Sequence, residues 1–226
     1  MVESDEEQLE VLKKWWDENG TSLVTTIVLA LGVTFGYRAW EDNIRETGEA
    51  ASASYQNLVQ ATTNTDDENL RTTAMTLGED LKKDHTDSAY ATFAAMHLAR
   101  VAVESGDLVK AQAEFEWILS QNTDSHLETI ARMRLARVLV AKGDSTAAMA
   151  QLVNHDPGEG QRSSWEEVRG DVFASLGDDA NARQAYQVAL NYLEDSTARP
   201  VLELKLADIP VSSVVTADDE QEDGDA

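Results

Sequence analysis

The chain has 226 residues and a formal net charge of −24, with 42 acidic side chains against 18 basic ones. Nucleic acid and anionic lipid surfaces are therefore poor partners, because each phosphate contact needs a lysine or an arginine. The absence of cysteine excludes disulfides, thiolate metal sites and a cysteine nucleophile. Aromatic residues make up only 6% of the chain and there are three prolines, a composition that favours packed helices, so we predict an all-α fold.

The first predicted element is a transmembrane helix at residues 19–39, preceded by a short N-terminal segment at 1–18. No charged side chain occurs from 19 to 37, and a helix of that length approaches the roughly 30 Å hydrocarbon thickness of a bilayer. Aromatic side chains flank the run on both sides, as is typical of anchors at two membrane interfaces: Trp15, Trp16, Tyr37 and Trp40. The pattern predicts a single membrane anchor.

Two other interpretations of this run are weaker. A buried helix of a soluble domain could be equally apolar, but it would not need aromatic anchors at both ends. A cleaved signal peptide needs a net positive N-terminus, whereas residues 1–18 hold seven acids and two lysines. The few basic residues on the two sides of the run nearly balance, so the positive-inside rule leaves the orientation open.

Within the run, Gly32 and Gly36 form a Gly-x-x-x-Gly pair. A helix face without side chains lets another helix backbone approach closely, which would suit a partner within the membrane. Glycine is also frequent in spanning helices for other reasons, so both interpretations stay open.

After the anchor, three segments align on a Gly-Asp dipeptide. The glycines are Gly106, Gly143 and Gly177, at separations of 37 and 34 residues. Spacing in this range is typical of stacked helical hairpins. Each glycine can end one helix with a positive φ, and the following aspartate can cap the next helix. We predict a tetratricopeptide-repeat-like α-solenoid over residues 40–209.

The register of these repeats also predicts packing positions. Small residues seven before and five after each glycine would let the two helices cross closely, and a larger side chain nine after would fill the space between them. The third unit departs from the pattern at Arg169, where the others have leucine. The predicted packing residues are Leu98, Ala99, Ala111, Phe115, Leu135, Ala136, Ala148, Leu152, Gly170, Ala182 and Tyr186.

Further elements are predicted at both ends of the repeats. Residues 48–61 and 69–82 resemble a degenerate first hairpin around a polar break. Residues 197–209 resemble a capping helix that begins at Pro200. Residues 210–226 lose the helical periodicity and carry six acids without a base, which predicts a disordered acidic tail.

The sequence offers no pattern for catalysis, and we predict no catalytic, metal or cofactor site. It has no H-E-x-x-H, no nucleophile elbow and no phosphate-binding glycine loop. Neighbouring acids such as Glu114 with Glu116, or Glu166 with Glu167, cannot face each other at helical spacings of one or two, so we interpret them as solvated.

Stacked hairpins instead provide a groove lined by the first helix of each pair, which suits a peptide or a partner helix. Candidate groove residues at exposed first-helix positions are His97, Arg100 and Arg137. The pattern therefore favours recognition over turnover.

Six short segments occur in an order that resembles the YfgM-like ancillary subunits of the bacterial Sec translocon. They are LKKWWDENG (12–20), GYRAW (36–40), SYQNLV (54–59), RLARV (134–138), VRGD (168–171) and LELKLADI (202–209). The resemblance covers nearly the whole chain up to residue 210, and the acidic extension after it goes beyond the family pattern.

The resemblance implies a bacterial inner-membrane protein with a cytoplasmic N-terminus and a periplasmic repeat domain. It also implies association with the SecYEG channel and with PpiD, a membrane-anchored periplasmic chaperone, with the groove holding the chaperone or an emerging polypeptide. The family has no catalytic residues to transfer. A different interpretation is an assembly or docking factor for another envelope or respiratory membrane complex, and a third is an enzyme with an unrecognised site.

Overall fold

The computed structural model describes residues 5–63, 67–193 and 197–210. These residues form helices and contain no strand, which confirms the all-α prediction. The predicted tail after Pro210 lies outside them. The α-helices are α1 Asp5–Ala61, α2 Glu68–Asp84, α3 Ala89–Glu104, α4 Leu108–Ser120, α5 Ser125–Ala141, α6 Ser145–Leu152, α7 Arg162–Ser175, α8 Asp179–Asn191 and α9 Arg199–Asp208, with a short 3-10 helix at Glu159–Gln161.

Helix α1 continues on both sides of the predicted span, because the sequence from 40 to 61 is rich in alanine and glutamate and lacks proline. The chain divides into two compact units between Ala53 and Ser54. Every residue from 21 to 50 is exposed, unlike those of a core helix in a soluble domain. By length and composition α1 can cross a membrane, and it is the candidate transmembrane helix among the residues described.

In the second unit, the three hairpins α3–α4, α5–α6 and α7–α8 use the Gly-Asp dipeptide in the same way at their turns. At the first turn Gly106 has φ 79°, and the Asp107 amide bonds the Ala102 carbonyl while the Gly106 amide bonds the Val103 carbonyl. This is a Schellman motif, which satisfies carbonyl groups at the end of α3. The Asp107 carboxylate then accepts from the Lys110 amide and caps α4. The same bonds recur at the turns of Gly143 (φ 83°) and Gly177 (φ 75°).

Small residues lie where the two helices of each hairpin cross. All eleven predicted packing residues are buried. In the third hairpin the ring of Tyr186 fills the space that a side chain at Gly170 would occupy. The Tyr186 hydroxyl donates to Asp171 Oδ1 at 2.9 Å, which fixes the ring against the glycine. In the second hairpin Ala136 and Leu152 hold the corresponding positions.

Helix α9 closes the last hairpin. Pro200 lies in its first turn, where a missing backbone N–H costs no hydrogen bond. Its Lys205 Nζ lies 2.7 Å from Glu167 Oε1 and 2.7 Å from Asp171 Oδ1, both on α7. Apolar contact of Leu202 and Ile209 with α8 completes the cap.

The interpretation of Glu114 and Glu166 as solvated side chains is wrong, since both are buried. Glu114 bonds Lys82 Nζ of α2 at 2.8 Å. Glu166 lies 2.7 Å from an Arg169 nitrogen and 3.2 Å from Arg162 Nε. Burial raises the pKa of the Glu114 carboxyl, and the hydrogen bond from Lys82 opposes that rise. A cation supplied by another helix or an adjacent turn makes each burial tolerable.

The contact between Gly170 and Tyr186 generates a stability prediction. Gly170→Ala should lower the free energy of unfolding by about 1–3 kcal/mol, because the added methyl group overlaps the tyrosine ring. Replacing Tyr186 by leucine in the same chain should recover much of the loss, since alanine opposite leucine is the pair found in the second hairpin. Urea unfolding of the four chains in detergent, followed by circular dichroism, measures the coupling. Purely additive effects of the two substitutions would contradict this steric explanation.

Candidate functional site

The candidate site is a depression of about 400 Å³ that residues of the first helices α3 and α5 and of the second helix α4 line. We call it the arginine groove. Its apolar surface comes from Val103, Leu108, Phe115, Val138 and Ala141, and its charged rim from Arg100, Glu104, Arg134 and Arg137.

Helical spacing explains where the arginines of the rim lie. Arg134 and Arg137 are three residues apart on α5 and so share a face, while Arg100 approaches from α3. The floor belongs partly to α4, where Leu108 and Phe115 pack beneath the two first helices. Val103 stays 44% exposed, so apolar surface remains open to solvent within the ring of charges.

The three arginines differ in how firmly they are held. Arg100 donates to Glu104 Oε1 at 2.8 Å and to the Thr62 carbonyl at 3.1 Å. Arg137 lies 3.9 Å from Glu167 Oε1 on α7. Arg134 contacts Met96 Sδ at 3.8 Å and forms no ion pair with any residue that the structure describes. The groove therefore concentrates positive charge in a chain that is otherwise strongly acidic.

Of the three predicted groove residues, Arg100 and Arg137 line this groove and His97 does not. The His97 ring is half-buried and lies 3.1 Å from the Tyr55 hydroxyl through Nε2 and 3.4 Å from Thr62 Oγ1 through Nδ1. Burial lowers the pKa of His97, and the charges of Arg100 and Arg134 lower it further. His97 thus joins α3 to the end of α1, a role that depends on tertiary contact and that helical spacing does not reveal.

Sequence reasoning missed Arg134 and the apolar floor of the groove. Arg134 could have been found from its spacing of three residues to Arg137. The floor could not, because Leu108 and Phe115 follow the same periodicity as ordinary core residues.

The glycines of the predicted Gly-x-x-x-Gly pair belong to α1. Gly32 and Gly36 lie on the exposed part of α1, and no described atom outside their own helix would come within 4 Å of a side chain there. That face is therefore open to another helix.

No other part of the described chain assembles reactive groups. The His155 ring lies 2.7 Å from Thr129 Oγ1 and stacks near Trp165, so it takes part in packing. Among residues 5–63, 67–193 and 197–210, no cluster of three histidine or acidic side chains could hold a metal ion. The arrangement in the groove is one of shape and charge, which suits binding of an extended chain.

The lowered pKa of His97 predicts the direction of a pH effect. As the pH falls below the ordinary histidine value of 6.5, the unfolded chain takes up a proton at this position before the native chain does. Native stability that depends on neutral His97 is therefore lost on acidification. His97→Gln cannot titrate, so its free energy of unfolding should fall less than that of the wild type between pH 7.5 and 5.5. Equal losses in the two chains, measured by urea unfolding, would contradict the role given to His97.

The family model and the similar proteins found by comparison indicate the same family. The model of a tetratricopeptide repeat-like domain matches residues 13–211. The ancillary SecYEG translocon subunit of Haemophilus influenzae is 29% identical over 185 residues, which are 82% of this chain and 88% of the relative. The Escherichia coli protein of the same name is 26% identical over 211 residues, 93% of this chain and 99% of the relative. No solved structure gives a significant match.

Proposed function

Because the chain belongs to the YfgM-like family with a tetratricopeptide repeat-like domain, we propose that it is an ancillary subunit of a Sec translocon. The similarity to ancillary SecYEG translocon subunits along nearly the whole chain carries this proposal. The protein acts as a scaffold at the membrane, where it assists export and folding of other proteins. It is not an enzyme.

Helix α1 anchors the scaffold. Its N-terminus lies in the cytoplasm and the repeat domain in the periplasm of a bacterial inner membrane. The open face at Gly32 and Gly36 supports contact with another spanning helix, belonging to the channel, a chaperone or a second copy. Confinement to the membrane raises the local concentration of the repeat domain at the channel exit.

The arginine groove receives the partner. Its open apolar floor can take side chains of an extended segment, and its arginines can bind carboxylates or backbone carbonyls beside them. A PpiD-type chaperone or an emerging polypeptide is the occupant in this arrangement. Binding of such segments needs no catalytic group.

Photocrosslinking in living cells tests the partners. A photoreactive amino acid at Arg137, on the rim, should give adducts with the channel or the chaperone. The same group at Val109, which is 69% exposed on α4 and outside the groove, should not. Adducts with another envelope or respiratory complex would support the alternative function of an assembly factor. Recovery of neither channel nor chaperone after mild solubilisation would contradict the proposal.

Labelling tests the orientation. The natural chain has no cysteine, so a single introduced cysteine reports one position. In cells with a permeabilised outer membrane, an impermeant maleimide should label Gln187→Cys, exposed on α8, and leave Gln8→Cys unlabelled until the cells are lysed. The reverse pattern would contradict a periplasmic repeat domain.

A further inference from the structure

The C-terminal part of the chain, residues 211–226, has a composition that complements the arginine groove. The match to the tetratricopeptide repeat-like family ends at residue 211, and α9 ends at Asp208. Residues 211–226 contain three valines followed by six acids, with no lysine or arginine. We propose that this segment, the acidic tail, binds in cis in the arginine groove, with its valines on the apolar floor and its carboxylates against the rim.

Local charge favours this pairing although the chain as a whole is acidic. At physiological salt the Debye length is about 8 Å, so charges much farther away are screened. The rim presents three arginines and one glutamate within one groove. A segment with six carboxylates is attracted by this rim, and Arg134 has no acidic partner among the residues described.

The described chain ends within reach of the groove. The Ile209 carbonyl accepts from Arg183 on α8, and Lys205 of α9 shares the Glu167 carboxylate with Arg137 on the rim. Helix α7, which carries Glu167, packs directly on α5. The path from α9 across α7 to α5 covers two helix spacings, or roughly 20 Å. The sixteen residues of the tail, when extended, span about 50 Å, which is enough to reach the groove.

Attachment to the same chain favours the tail over a free peptide. A short flexible connection gives an effective concentration in the millimolar range, so weak contacts suffice for occupancy. An external segment that enters the groove must then displace the tail, and a more acidic or more apolar segment does so more readily. Binding of the tail does not depend on which partner the proposed function assigns to the groove.

Photocrosslinking of the purified full chain in detergent, where no channel or chaperone is present, tests the inference. A benzoylphenylalanine at Val103, inside the groove, should crosslink to a peptide from residues 211–226. The same group at Val109 should not. An equal mixture of isotopically heavy and light chains should give heavy–heavy and light–light adducts only, as binding in cis requires.

Charge variants supply the controls. Arg134→Gln with Arg137→Gln should lower the yield of the tail adduct at least fivefold, and so should conversion of the six tail acids to amides. Lys83→Gln removes one positive charge from an exposed position on α2 outside the groove and should leave the yield unchanged, whereas Arg134→Gln alone, which also removes one, should lower it. Circular dichroism checks that each variant keeps its helix content.

Three results would overturn the inference. They are no tail adduct from Val103, mixed heavy–light adducts as abundant as the others, or a tail adduct that survives loss of the two arginines. The first would leave the groove to an external partner, and the second would assign it to the tail of another copy. Because the assay contains only this protein, none of these results bears on association with the translocon.

Discussion

Close approach of two helix backbones at each hairpin is the constraint on which the repeat unit depends. Alanine or glycine occupies every crossing position, and the large side chain nine residues after the turn glycine fills the space beside it. Since the interior is close-packed, a single added methyl group has no room. The turn glycines bring each second helix back onto the first, so crossing and turn act together. The groove, which residues of α3, α4 and α5 line together, follows from this arrangement.

The second physical theme is the unequal distribution of charge. The acidic excess keeps the exposed helices hydrated, yet two of the acids are buried where a lysine or arginines meet them. The remaining cations are not spread evenly, since three arginines surround one apolar depression. A basic groove on an acidic protein can bind acidic segments selectively, because like charge disfavours their binding elsewhere on the surface.

Helix α1 and the repeat unit differ in the exposure of their apolar side chains. In α1 the apolar side chains between 21 and 37 are exposed, which is costly in water and favourable in lipid. In the repeats the apolar side chains are buried against neighbouring helices. The same chain therefore carries one exposed apolar helix and one set of helices with a buried core.

The sequence by itself determined the helical class, an apolar helix long enough to cross a membrane, the three Gly-Asp turns and the small residues at the crossings. Each of these depends on local chemistry: an uncharged run, a positive φ at glycine, a carboxylate cap or a fixed spacing. Only the tertiary structure decided that His97 faces Tyr55 and Thr62, that Glu114 and Glu166 are buried, and that Arg134 joins Arg100 and Arg137 around one groove. Those facts depend on which side chain a neighbouring helix supplies. Helical periodicity gives the face on which a residue lies but not the partner it meets there.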